Sequence, residues 1–208
     1  MLNPRKILVI RFSSLGDLVL TTPIFRELKR FYPDAEITLL TSSGLGSVLD
    51  NNPQIDHVIM HSRKETRMQL KFLIQNLRKE KYDLIYDAHR SLRSIWIVWN
   101  LSGFGILKKP EVWSINKRSW QRILLIRLKL NLLKKTDPQR LHLLRPLQTH
   151  TNLELHNQTE LFPDKSAILR TQEFLKKHNL QPKQFVAIGP SASYPLKCWP
   201  LEYFQVLI

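Results

Sequence analysis

The sequence predicts an α/β fold, a parallel sheet with helices on both faces, and three observations carry that expectation. Short apolar runs of strand length alternate with stretches of helical period across residues 6–87, joined by short loops. Residues 7–41, ILVIRFSSLGDLVLTTPIFRELKRFYPDAEITLLT, read in order as strand, tight loop, amphipathic helix, turn and second strand. The same strand–loop–helix order returns at residues 185–208, as though a second doubly wound unit begins there.

Taken in order, Lys6–Arg11 is the first strand. The helix expected over Leu18–Phe31 sends Leu18, Leu20, Ile24, Phe25, Leu28 and Phe31 toward the sheet and Arg26, Glu27, Lys29 and Arg30 outward, and Pro33-Asp34 ends it. Further strands are expected at Glu36–Thr41, His57–His61 and Asp83–Asp87, with helical stretches at Gly46–Asn51 and Glu65–Glu80. From Lys108 to Lys135 the chain holds nine basic residues against one acid, Glu111, and Trp120–Leu130 reads as a basic amphipathic helix. The bland role of the whole stretch 108–135 is a solvated helix with leucines on the core; its functional role, with Lys64, Arg67 and Lys71 nearby in sequence, is an interfacial helix on an anionic membrane or a patch gripping acceptor phosphates. Pro138, Pro146 and the polar run Thr149–Gln158 predict a loosely ordered connection. A helix over Lys165–His178 and a buried-type strand over Phe185–Pro190 follow, which divides the chain into residues 1–160 and 161–208.

Composition narrows the function. At 208 residues, 43% hydrophobic and 24% charged, the chain can bury a sizeable core. A net charge of +15 asks for an anionic partner or surface, for which nucleic acid, an anionic membrane and a phosphorylated glycolipid all qualify. The single cysteine, Cys198, excludes an intrachain disulfide and a cysteine metal cluster, and reads as a small buried residue in a reducing compartment. No signal peptide precedes the first strand, and the apolar stretch Ile95–Leu107 is too short and too interrupted to span a bilayer. No His/Cys/Asp set has metal-ligand spacing, so neither a metal nor a bound cofactor is expected.

Three loops carry chemistry. In open parallel sheets ligands bind outside the carboxyl ends of the strands. The loop Ser13-Ser14-Leu15-Gly16-Asp17 follows the first strand, so Ser13, Ser14 and Gly16 suit a phosphate or sugar and Asp17 suits a general base, although an aspartate just before a helix also serves as a cap. Asp87-Ala88-His89-Arg90-Ser91-Leu92-Arg93 follows another strand at the same edge. Arg90 and Arg93 lie three apart and so can share a helix face toward phosphate or carboxylate, while Asp87 again doubles as a cap and His89 as a satisfied loop histidine. In Gly189–Pro200, hydroxyls, backbone N–H groups and Lys197 can cradle a diphosphate, though a proline-rich surface turn would look the same. The dehydrogenase fingerprint G-x-G-x-x-G and the Walker motif are both absent.

The run Arg11-Phe12-Ser13-Ser14-Leu15-Gly16-Asp17-Leu18-Val19-Leu20-Thr21-Thr22-Pro23 resembles the N-terminal signature of glycosyltransferase family 9, the ADP-heptose:lipopolysaccharide heptosyltransferases. Residues 82–94 and 190–200 resemble the family's second and third blocks, in the right order; residues 105–165 match weakly, and the third block reads Pro-Ser-Ala-Ser where Pro-Gly-Ala-Ser is common. The resemblance implies a GT-B architecture, with an acceptor-side Rossmann-like domain over 1–160, and a linker helix and the incomplete start of a nucleotide-sugar-binding domain over 161–208. It implies inverting transfer of a heptose from ADP-heptose to the inner core of lipopolysaccharide by a cytoplasmic protein, peripheral on the inner membrane. Asp17 aligns with the family's base, Lys197 with its phosphate-contacting lysine, Ser191 and Ser193 with positions that meet the diphosphate, and Arg90 and Arg93 with acceptor contacts. The expected partners are a nucleotide-sugar donor, a phosphorylated glycolipid acceptor and the anionic membrane surface. Two alternatives stand beside it. One is a truncated, non-catalytic transferase fragment. The other is a basic nucleic-acid-binding module, which lacks a helix-turn-helix, RRM or zinc pattern, so no nucleic acid is expected.

Overall fold

A computed structural model of the chain describes residues 3–62, 64, 66–103, 109–117, 119–130, 138–151, 154–181, 183–190, 192, 194 and 197–207. The chain separates into two compact units, Met1–Pro163 and Asp164–Ile208.

The first unit is a five-stranded, wholly parallel sheet in the order β3-β2-β1-β4-β5. Its strands are β1 (Lys6–Arg11), β2 (Glu36–Ser42), β3 (His57–His61), β4 (Leu84–Asp87) and β5 (Glu111–Ser114). The chain winds outward from β1 to β3, then crosses back to lay β4 on the other side of β1. The β1/β4 seam is therefore the topological switch point, where loops diverge and leave a crevice.

Strand alternation sorts the core into two layers. Ile7 and Val9 point to one face with Tyr86 and Trp113, beneath α2 (Thr22–Phe31) and α6 (Gln139–Thr151), which supply Ile24, Phe25, Leu28, Leu143, Leu144 and Leu147. Leu8, Ile10, Phe12 and Ile85 point to the other, beneath α3 (Arg67–Glu80) and α4 (Leu92–Ser102), which supply Ile74, Leu77, Ile97 and Leu101. Central strands buried on both faces are why these segments read as unbroken apolar runs.

Several elements differ from expectation for local reasons. The helix expected at Leu18–Phe31 is two: α1 (Leu15–Val19) and α2, split at Leu20-Thr21 because Pro23 sits in the first turn of α2 and has no N–H to continue the ladder. Thr21 and Thr22 hydroxyls close the break by donating to the Leu18 and Val19 carbonyls, at 2.6 and 2.9 Å. Gly46–Asn51 contains only a single 3₁₀ turn, Gly46–Val48. The basic segment holds an edge strand, β5, before α5 (Ser119–Leu128), which exposes Ile123, Ile126 and Leu128. The connection expected to be loose is instead α6, with Pro146 inside it and Leu143, Leu144 and Leu147 fully in the core; Tyr86 Oη donates to the Leu143 carbonyl at 2.6 Å. Glu27, expected on the solvent side of α2, is fully buried and pairs with Arg30 at 2.8 Å. Residues 154–160 run back over α2: Arg26 Nη2 donates to His156 O at 2.8 Å, Arg30 Nη2 to Glu154 O at 2.9 Å, and Glu160 N to Thr22 Oγ1 at 2.9 Å.

The second unit contains α7 (Lys165–Lys177), capped by Asp164, whose carboxylate accepts the Ala167 N–H at 2.6 Å, and α8 (Leu201–Leu207). Residues 185–190 form no strand, because among the described residues no neighbouring strand offers them a ladder. No helix among the described residues is long and apolar enough to cross a membrane.

Candidate functional site

Four chain segments meet at the carboxyl edge of the sheet and line a cleft of about 300 Å³: Arg11, Ser13 and Asp17 from β1 and its loop, His89 from the loop after β4, Ile115 and Lys117 after β5, and Gln139 and His142 from the first turns of α6. The size falls in the range of small-ligand sites. Asp17 is the sole acid among the described lining residues, set among Arg11, His89, Lys117 and His142.

Asp17 does not precede its helix. It is the third residue of α1, and its carboxylate folds back so that Oδ2 accepts from the Ser14 backbone N–H at 3.1 Å and the Ser14 hydroxyl at 3.3 Å. Arg11 Nη2 reaches the same oxygen at 2.7 Å. The Arg11 side chain is only 6% exposed and that of Asp17 37%, so a buried cation holds one oxygen of a carboxylate whose other face is open to the cleft. Arg11 is itself fixed by donating from Nη1 to the Ala88 carbonyl at 2.5 Å, which ties the ends of β1 and β4 together across the switch point. Partial burial pushes the Asp17 carboxyl upward; the Ser14 N–H bond and the Arg11 guanidinium outweigh it and hold the group below its ordinary value. The carboxylate is thus ionised at neutral pH and shares only Oδ2 with its partners among the described contacts. Gly16 lies beside it, and a Cβ there would meet no protein atom within 4 Å, so packing does not require the glycine and the loop backbone stays open to an approaching group.

The loop after β4 is built by Asp87. The residue is buried; Oδ1 accepts from the His89 and Arg90 backbone N–H groups at 3.0 and 2.7 Å, and Oδ2 from the Ser94 hydroxyl at 3.0 Å. Its carboxylate faces inward on three donors and shapes the loop. Arg90 and Arg93 do not share a helix face, as their spacing predicts, because Arg90 lies ahead of α4 with φ +46°. Arg90 turns toward β5, where Nη1 donates to Ile115 O at 2.9 Å, while Arg93 turns toward β3, where Nη1 meets Ser62 O at 3.4 Å.

Ser13 lines the cleft, and Ser14 is the residue capping α1. Lys197 belongs to the second unit, where it is exposed and its backbone N–H donates to Tyr194 O at 2.9 Å. Ser191 and Ser193 lie outside the described residues. Cys198, expected to be buried, is exposed, with Sγ 3.5 Å from Ala192 O.

Arg11, Lys117, Gln139 and His142 were not among the candidates from sequence. Lys117 follows β5, so the rule that found Asp17 places it at the carboxyl edge only once Glu-Val-Trp-Ser at 111–114 is known to be a strand.

Comparison with known proteins bears on this arrangement. The model of glycosyltransferase family 9 (heptosyltransferase) matches residues 71–208. Lipopolysaccharide heptosyltransferase 3 of Escherichia coli is 36% identical over 88 residues, covering 40% of this chain and 25% of that protein. A glycosyl transferase family 9 structure from Veillonella parvula DSM 2008 superposes with TM-score 0.76 at 22% identity, covering 98% of this chain and 58% of that one. The E. coli heptosyltransferase WaaC with ADP-2-deoxy-2-fluoro heptose superposes with TM-score 0.61 at 18% identity, covering 97% and 64%. These chains share the fold, which is the GT-B fold of family 9 transferases. The chain spans about a quarter of the length of the curated relatives it matches.

Proposed function

Because the chain belongs to glycosyltransferase family 9, we propose that it is the acceptor-side part of a transferase that moves a heptose from ADP-heptose to the inner core of lipopolysaccharide, at the cytoplasmic face of the inner membrane. The observation that carries the reading is the Arg11–Asp17 pair: one ionised carboxylate held by a buried guanidinium in a cleft at the switch point.

In this reading the acceptor hydroxyl lies against the open side of Asp17. Its proton passes to Asp17 as its oxygen bonds to the anomeric carbon. The bond from that carbon to the β-phosphate oxygen breaks, and its electron pair leaves with ADP. An aspartate is a weak base, so proton transfer comes late, when the acceptor oxygen has become acidic through bonding. Lys197, with the hydroxyls of Ser191 and Ser193, is assigned to the departing diphosphate, where a cation stabilises charge that develops only as the bond breaks. His89, Lys117 and His142 are donors suited to acceptor hydroxyls, carboxylates or phosphates along the cleft floor. Arg90 and Arg93 are assigned to the acceptor side on either flank.

The donor is the part of this reading easiest to test. Titration of the protein with ADP and with ADP-heptose should show saturable micromolar binding, and addition of a phosphorylated inner-core acceptor should release ADP. If ADP-heptose neither binds nor turns over, the reading moves to a non-catalytic fragment.

A further inference from the structure

The helix α4 carries apolar side chains on its outer face as well as its inner one. Ile97 and Leu101 pack into the core, yet Leu92, Trp96 and Trp99 form an outward stripe at i, i+4 and i+7, with Leu92 89% and Trp99 64% exposed. Across from it, α3 exposes Met68 (76%) and Phe72 (63%). Large apolar side chains left exposed side by side on two neighbouring helices mark a surface that meets a partner or lipid. Between the first turns of these helices is a groove of about 580 Å³ lined by Leu70, Leu92 and Trp96 and by three cations, Arg67, Lys71 and Arg93. The sequence has no Asp or Glu in residues 66–79 or 88–110.

From this we infer that the α3–α4 face is the protein's seat on an anionic bilayer, with Trp96, Trp99 and Leu92 entering the interface and Arg67 and Lys71 meeting lipid phosphates. Charge complementarity selects the occupant. A second copy pairing symmetrically through this face would set Arg67 and Lys71 against their own equivalents, and the whole chain carries +15. Tryptophans rimmed by cations match the chemistry of a membrane–water interface, where the rings sit at headgroup level and the cations lie outside. The sequence expectation gave this role to the basic stretch 108–135 with Lys64, Arg67 and Lys71 nearby; the face on α3 and α4 keeps Arg67 and Lys71 and replaces 108–135 with the exposed aromatics of α4.

The face also suits the reaction. Because α3 and α4 follow β3 and β4, their first turns lie at the carboxyl edge of the sheet, the edge that carries the Asp17 cleft. Seating that edge on the bilayer brings a lipid-anchored acceptor to the cleft, a point that rests on the proposed glycolipid acceptor; the surface itself does not.

Co-sedimentation with vesicles tests the assignment. The protein is expected to bind phosphatidylglycerol-rich vesicles and not phosphatidylcholine vesicles, with binding weakened by salt and a blue shift of tryptophan emission. Removing two cations in Arg67→Gln/Lys71→Gln should weaken binding roughly 25-fold, about fivefold per cation. Leu92→Gln/Trp96→Gln should weaken it at least tenfold and reduce the blue shift, and these exposed positions leave the thermal midpoint nearly unchanged. Undiminished binding by either double variant, or no binding by the parent, overturns the assignment. So does a parent that sediments as a dimer which Leu92→Gln/Trp96→Gln dissociates, since the face would then belong to a second copy. ADP-heptose binding measured on the same preparations reports on the transferase reading separately: its absence with vesicle binding intact sinks that reading alone.

Discussion

Replacing Asp17 with asparagine is expected to lower heptose transfer by about 10²–10⁴-fold, the range by which a positioned base contributes. The change keeps the shape of the side chain and leaves an oxygen to accept the Ser14 N–H, so α1 should still form. It removes the group proposed to take the acceptor proton. It also removes the charge opposite Arg11, whose guanidinium is buried, so stability should fall by about 1–3 kcal/mol without unfolding the chain. The pH profile distinguishes this role from a purely structural one. The Asp17 carboxyl is held below its ordinary value by Ser14 and Arg11 against the opposing effect of partial burial. In the proposed mechanism the deprotonated form is the active one, so the ADP-release rate should stay level from neutrality down to about pH 4, the ordinary aspartate value, and fall only below it. An acidic limb centred near neutrality would assign proton removal to another group, and His89 or His142 would be the first to consider.

Asp87→Ala is expected to cost about 3 kcal/mol of folding stability, read as a lower denaturant midpoint. The buried carboxylate receives three hydrogen bonds, two from backbone groups of the loop that positions His89 and Arg90 and one from Ser94 in α4. Alanine removes the acceptor of the His89 and Arg90 backbone N–H groups, while the Ser94 hydroxyl keeps the Ser91 carbonyl, and Arg90 loses the contact that steadies its left-handed backbone. The loop should loosen and transfer should fall with it, because His89 lines the cleft. Asp87→Asn should recover much of the loss, since the amide oxygen still accepts both N–H groups and its NH₂ can donate to the Ser94 hydroxyl. If Asp87→Ala kept its stability within about 0.5 kcal/mol while transfer collapsed, Asp87 would be a substrate contact and not the builder of its loop.

Much of the sheet was legible because its strands are short apolar runs, unbroken in the central strands, which are buried on both faces. Residues Lys6–Arg11 and His57–His61 are strands at the bounds their apolar runs suggest, and β2 and β4 differ by one residue at one end. The edge strand β5 was not legible: Glu-Val-Trp-Ser is short, half-exposed and embedded in basic sequence. With β5 went Lys117, and with the misread α6 went Gln139 and His142. Pro146 argued against a helix locally, while the burial of Leu143, Leu144 and Leu147 under the sheet overrode it. Asp17 was found because a strand-to-helix loop is visible in one dimension. Its partner Arg11 was not, since a cation on the last residue of a strand reveals its burial only once β4 and its loop are laid beside it. The Arg90/Arg93 pair failed for the converse reason: spacing of three implies a shared face only when both residues are helical.

The anomeric configuration of the product tests the central claim most directly. Asp17 is the single carboxylate among the described residues of the cleft, and a double displacement needs a second group to form a glycosyl intermediate. Proton NMR of the sugar transferred from ADP-heptose should therefore show inversion at the anomeric carbon, the outcome of one in-line displacement with Asp17 as base. Retention of the donor's configuration would contradict the account.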